Sequence, residues 1–175
     1  MSIDGELRTL YPFLHGKRQD ATSMETALLE SLRQKSTHSI ETIKTFFSEH
    51  GEAVVVAAKA IADVYRRDGR LFTMGNGGSS CDAAHIAVEF LHPITAGRPA
   101  LTAVNLGADL AMMTAVGNDV GFGHIFVRQL IAQARKGDGL IGVSTSGNSE
   151  NLMNAFAKAR KLDLVTIGLT GMDGG

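Results

Sequence analysis

From Asp68-Gly69 onward the chain alternates short apolar runs with glycine- or serine-rich loops and helical stretches, a texture that few folds accept. Residues 70–74, 100–104, 140–144 and 164–170 read as strands, the last of them rich in β-branched side chains. Helices are expected near 80–91, 108–116, 123–134 and 150–161, where apolar residues recur at helical spacing. This alternation predicts an α/β domain, a parallel sheet with helices on both faces. Ligands in such sheets bind beyond the carboxyl ends of the strands, where the loops of unusual composition begin.

Two helices are expected ahead of the first strand, over residues 24–67, with Gly51 as the break between them. Leu28, Leu32, Ile40, Ile43, Phe46 and Phe47 recur at spacings of a helical stripe, and the stripe can cover either another subunit or the domain's own sheet. Residues 1–23 are mixed in character and read as a leader or arm, so the expected organisation is 1–23, 24–67 and a core over 68–175. The chain reaches Gly175 just after an apolar strand, so the expected fold lacks a closing C-terminal strand and helix.

Composition narrows the functional classes. Seventeen basic and 18 acidic residues give a net charge of −1, without the basic excess that nucleic acid or an anionic membrane would need. A lone cysteine, Cys81, permits no intrachain disulfide and fits a reducing compartment. Neither a signal-peptide pattern nor an apolar run long enough to span a bilayer is present, so a cytoplasmic domain is expected.

Four segments can carry chemistry. The loop Gly75-Asn76-Gly77-Gly78-Ser79-Ser80 follows a strand and opens a helix, where glycines let backbone N–H groups approach an anion; a plain tight turn is the competing reading. It is no dinucleotide fingerprint, because Ser80 stands where the third glycine should be, and it has no P-loop lysine. The loop Ser144-Thr145-Ser146-Gly147-Asn148-Ser149 crowds four hydroxyls and an amide onto a helix start. One N-cap would suffice there, so the surplus suits a phosphate monoester held by neutral donors and a helix terminus; plain helix capping is the competing reading. His85 and Glu89 stand four apart and share one helical face. They can be an ordinary polar pair, two of the ligands of a Zn²⁺, or a site in which Glu89 acts as a base without metal. Gly117-Asn118-Asp119 reads as a glycine-rich turn that can also bind sugar hydroxyls.

Together these motifs resemble the phosphoheptose isomerases of the SIS superfamily, from about Leu28 to Gly175. Gly75-Asn76-Gly77-Gly78-Ser79, Asp82-Ala83-Ala84-His85, Gly117-Asn118-Asp119 and the loop 144–149 stand in that family's order, and Leu169-Thr170-Gly171-Met172-Asp173-Gly174-Gly175 matches as well. The resemblance implies a SIS fold with a flavodoxin-like sheet, a homotetramer, and conversion of sedoheptulose 7-phosphate to a manno-heptose 7-phosphate for bacterial surface heptose. By that likeness Ser144, Thr145, Ser146 and Ser149 hold the phosphate, and Asn76, Gly77, Gly78, Asn118 and Asp119 line the sugar. His85 and Glu89 match two ligands of one Zn²⁺ per subunit, and Glu89 matches the residue that moves a proton through an enediol.

The sequence departs from the family at two places. The family draws a Gln and a second His from a last helix that this chain does not reach, which implies either truncation or lost activity. An Arg that the family places after the His/Glu helix falls near Pro93. The alternative is a non-catalytic SIS module that senses a phosphosugar or docks on a protein, as in a branch that associates with the replication initiator. That branch keeps the His but not the Glu, so Glu89 favours catalysis.

Overall fold

The computed structural model describes residues 21–94, 97–172 and 174, with side chains from Met24 onward. Of the expected leader, residues 1–20 lie outside the described residues, and 21–23 already belong to the first helix.

That helix, α1 (Ala21–Arg66), runs 46 residues without interruption, so the expected break at Gly51 is corrected. A glycine inside a helix costs only about 1 kcal/mol relative to alanine. A break would strand four N–H and four C=O groups at the new ends. Gly51 does not leave the right-handed region and is followed by the helix-compatible run Glu52-Ala53, so the ladder continues through it. The chain divides into two compact units, Met1–Glu52 and Ala53–Gly175, with the boundary inside α1. In the first unit the apolar stripe is bare: Leu28, Leu32, Ile43 and Phe47 are each 58–64% exposed.

The second unit holds the sheet. After α1 come β1 (Leu71–Gly75), α2 (Gly78–Leu91), β2 (Ala103–Asn105) and α3 (Leu110–Asp119). A 3-10 turn (Phe122–His124) leads into α4 (Ile125–Gln133), β3 (Gly139–Ser144), α5 (Glu150–Lys161) and β4 (Val165–Thr170). The four strands pair in parallel in the order β2-β1-β3-β4, with Leu71 opposite both Ala103 and Gly139, and Ser144 opposite Thr170. The chain therefore winds outward from β1 to β2 and then crosses back to β3, which makes the β1/β3 boundary the topological switch point.

Alternation along β1 divides the core. Phe72 and Met74 point to one face and pack with Leu106, Phe126, Leu130, Leu140, Leu152 and Ala155, which belong mostly to α4, α5 and their flanks. Leu71 points to the other face, with Ala87 of α2, Ala103 and Ile141, joined by Ile61 and Tyr65 from the end of α1. Each fully buried large side chain, such as Phe72 or Phe126, contributes about 1.5–3 kcal/mol of burial. Gly142 brings α5 close: a Cβ there would lie 2.5 Å from the Phe156 ring.

The edge of the sheet away from the loops is fastened by Asp138, whose carboxylate is almost fully buried. It accepts from the Arg70 N–H at 2.9 Å and the Arg135 N–H at 2.8 Å, and pairs with the Arg70 guanidinium at 3.5 Å. A buried carboxylate is tolerated only with partners of this kind. This edge holds β1 to β3 and leaves the opposite edge for ligands.

Candidate functional site

At the carboxyl end of β1 the glycine loop folds back so tightly that a Cβ on Gly75 would lie 2.2 Å from the Ser79 carbonyl oxygen. Gly77 takes φ 52°, a left-handed conformation that glycine adopts without the Cβ clash, and serves as the N-cap of α2 without a side-chain cap bond. The Ser80 hydroxyl donates to the Gly77 carbonyl at 2.7 Å. The loop thus brings backbone N–H groups forward beside the Asn76 amide.

At the carboxyl end of β3 the serine loop is built differently. Ser144 is buried, and its hydroxyl accepts from the Gly147 N–H at 3.1 Å. Ser146 accepts from the Asn148 N–H at 3.3 Å, while Thr145 is exposed. Ser149 is the N-cap of α5, yet its hydroxyl makes no cap bond. The Leu152 N–H donates instead to the Ser149 carbonyl at 3.0 Å and to the Asn151 side-chain oxygen at 3.1 Å. Elsewhere the ordinary solution is used, for Asp109 caps α3 by accepting from the Met112 N–H at 2.9 Å. A hydroxyl excused from capping at the positive end of a helix is suited to an anion. The charges of α5 agree with that dipole, with Glu150 in its first turn and Lys158, Arg160 and Lys161 in its last.

The two loops are tied together. Asn76 donates to Asn151 at 2.9 Å and Asn151 donates back to Asn76 at 2.8 Å. The Gly171 backbone braces the serine loop from β4, since a Cβ there would lie 2.9 Å from the Thr145 carbonyl oxygen. The sequence reading missed both Asn151 and Gly171. The signal for Asn151 was a second amide two residues past the last serine.

His85 and Glu89 do share a face of α2, with the imidazole Nε2 3.1 Å from a Glu89 carboxylate oxygen. Both are accessible, at 73% and 46% side-chain exposure, beside a shallow cavity of about 390 Å³ that Asp82, Ile86 and Phe90 also line. Imidazole nitrogen with carboxylate oxygen is a donor pair that Zn²⁺ accepts. It supplies two donors only: no group of three His, Cys, Asp or Glu is placed to hold a metal among the described residues. The Arg98 guanidinium donates to the Glu89 and Phe90 carbonyls and lies 5.8 Å from the Phe90 ring centroid, so it holds the last turn of α2. Behind Phe90, Tyr65 stacks at 5.5 Å and donates to the Thr102 carbonyl at 3.1 Å. Burial pushes the Tyr65 phenol up to about 12, opposed by the Arg98 guanidinium.

One expectation needs correction. Gly117, Asn118 and Asp119 do not form a turn but the last turn of α3. The run opens with the strong helix formers Leu110-Ala111-Met112-Met113, and the helix ends only where Val120 leaves helical geometry. Asn118 and Asp119 are exposed and spend their side chains on each other, at 2.8 Å. The Asn76 side-chain amide is paired with Asn151 and keeps one N–H and one lone pair unpaired by it. Among the described residues no hydrogen bond joins His85 or Glu89 to the serine loop.

Comparison with known proteins agrees with this geometry. Residues 36–171 match the model of the SIS domain family. The phosphoheptose isomerase of Desulfovibrio desulfuricans is 44% identical over 132 residues, which are 75% of this chain and 63% of that protein. The chain therefore spans under two thirds of the length of that relative. A solved phosphoheptose isomerase from Neisseria gonorrhoeae superposes with a TM-score of 0.79 at 39% identity, covering 85% of this chain and 77% of that one. One from Francisella tularensis gives 0.81 at 35%, covering 84% and 77%. The parallel sheet, its two strand-end loops and these matches agree: the chain belongs to the SIS domain family and, within it, to the phosphoheptose isomerases.

Proposed function

We propose that the protein is a ketose–aldose isomerase acting on a seven-carbon sugar phosphate, sedoheptulose 7-phosphate, as the names of its relatives suggest. The observation that carries the reading is the Ser149 hydroxyl, left without a cap bond at the start of α5 inside a loop of four hydroxyls. Ser144, Thr145, Ser146 and Ser149 seat the phosphate with the α5 N-terminus. Gly77 and Gly78 present backbone N–H groups to the sugar, Asn76 presents what its pairing leaves free, and Asn118 and Asp119 contact sugar hydroxyls from α3. Glu89, steadied by His85 at 3.1 Å, removes a proton from the hydroxymethyl carbon beside the ketone. The enediol then takes that proton at the former carbonyl carbon, while a hydroxyl proton moves between the two oxygens.

His85 and Glu89 would hold Zn²⁺, one per subunit, with further donors from outside the described residues. When bound, the ion polarises the two substrate oxygens. The bare stripe of α1 suits a homotetramer, since apolar patches of that kind mark interfaces; light scattering should then give four times 18.5 kDa, and a monomer would refute it. Among the described residues no helix is long and apolar enough to cross a membrane, and Cys81 is an exposed free thiol. Both support a cytoplasmic location, which recovery in the membrane fraction would contradict.

The decisive experiment incubates zinc-supplied protein with the ketose phosphate in deuterated water and follows hydrogen exchange at the two carbons. Exchange is expected for the wild type. Glu89→Gln should lower turnover at least ~10³-fold, the scale of a lost acid–base group, while phosphate binding persists. No exchange in the wild type would end the enzyme reading. The two-donor metal set favours one further reading, a non-catalytic phosphosugar-binding module. Binding without exchange would establish it.

A further inference from the structure

We infer that Asn151 is a positioning residue for sugar recognition: it orients the Asn76 amide and couples the glycine loop to the helix that seats the phosphate. The inference rests on the reading of the site as a phosphosugar site. Asn151 is 2% exposed at the second position of α5, and Asn76 is half-buried at the end of β1, 75 positions earlier. Their amides exchange two hydrogen bonds, at 2.9 and 2.8 Å. The Asn151 oxygen also accepts from the Leu152 N–H, which fixes which end of that amide is oxygen.

The consequence is one of valence. A primary amide has two N–H donors and two acceptor lone pairs. In Asn76 the pairing consumes one of each, so one N–H and one lone pair remain, in directions set by Asn151. Turning either amide alone would oppose oxygen to oxygen and N–H to N–H. A hydroxyl meeting Asn76 therefore finds a fixed donor and a fixed acceptor rather than a rotor. Because Asn151 is anchored to the first turn of α5, displacement of that turn by a phosphate is felt at the glycine loop. Burial makes the pair stringent, since a lone amide in that place would lose its partner without gaining water.

The test measures calorimetric affinities for inorganic phosphate and for sedoheptulose 7-phosphate in wild type, Asn151→Ala, Asn76→Ala and the double variant. Asn151→Ser is added, because it keeps a short polar group at the helix start but cannot return both bonds. Asn151→Ala and Asn151→Ser should weaken the sugar phosphate about tenfold and inorganic phosphate less than about twofold. In the Asn76→Ala background, Asn151→Ala should add less than about twofold, as expected of residues acting as one unit. Equal weakening of both ligands, additive losses, or variants that all fail to fold would show a purely structural residue and overturn the inference. If wild type binds inorganic phosphate but not the sugar phosphate, the functional reading falls and this inference with it.

Discussion

The two strand-end loops occupy equivalent places, each leaving a parallel strand and opening a helix, yet they spend their residues in opposite ways. In the glycine loop the constraint lies in the main chain: a Cβ added to Gly75 would lie 2.2 Å from the Ser79 carbonyl oxygen, and Gly77 sits at φ 52°. The serine loop also turns through a glycine of positive φ, Gly147 at 70°, but there the side chains are surplus, and the Ser149 hydroxyl makes no cap bond. The first loop is constrained by what must be absent, the second by what has been added. Neither contains the His85–Glu89 pair proposed to move the proton, which lies on α2.

That contrast can be broken by substitution. Gly75→Ala should have the largest effect, because the clash is with backbone that has no rotamer to yield. A destabilisation of about 2–3 kcal/mol, the scale of overpacking, is expected in thermal or denaturant unfolding, together with lost sugar-phosphate binding. An unchanged melting temperature would mean the loop is not tightly folded. Ser149→Ala should do the reverse. An N-cap serine normally contributes about 1 kcal/mol, but here the cap bond is absent, so stability should change by less than about 0.5 kcal/mol. Phosphate affinity should fall about tenfold, equivalent to about 1.4 kcal/mol. A stability loss without an affinity loss would return the loop to simple capping.

Much of this was legible from residue order because local chemistry decided it. Helix α5 begins and ends where its pattern places it, at Glu150 and Lys161, since a hydroxyl loop precedes it and basic residues close it. The strands shifted by one to three residues, and β2 shortened to Ala103–Asn105, because pairing partners rather than propensity set strand ends. Gly51 and Asn118-Asp119 were misread for one reason: glycine and Asn-Asp favour turns locally, but the surrounding ladder overrode about 1 kcal/mol of preference. The His85–Glu89 contact followed from i, i+4 spacing alone. The Asn76–Asn151 pair could not follow from spacing, because only the crossover from β1 to β3 brings those positions together.

Asp138 gives the sheet a mechanical polarity. With β1 and β3 riveted at their starting ends through Arg70, Arg135 and that one buried carboxylate, any give on ligand arrival must increase along the strands toward their tips. Amide hydrogens near residues 70 and 139 should then exchange slowly whether or not ligand is present, and the ligand's signature should be a gradient of slowing that steepens toward residues 75 and 144. Such a gradient would make the domain a clamp with a fixed heel and compliant jaws.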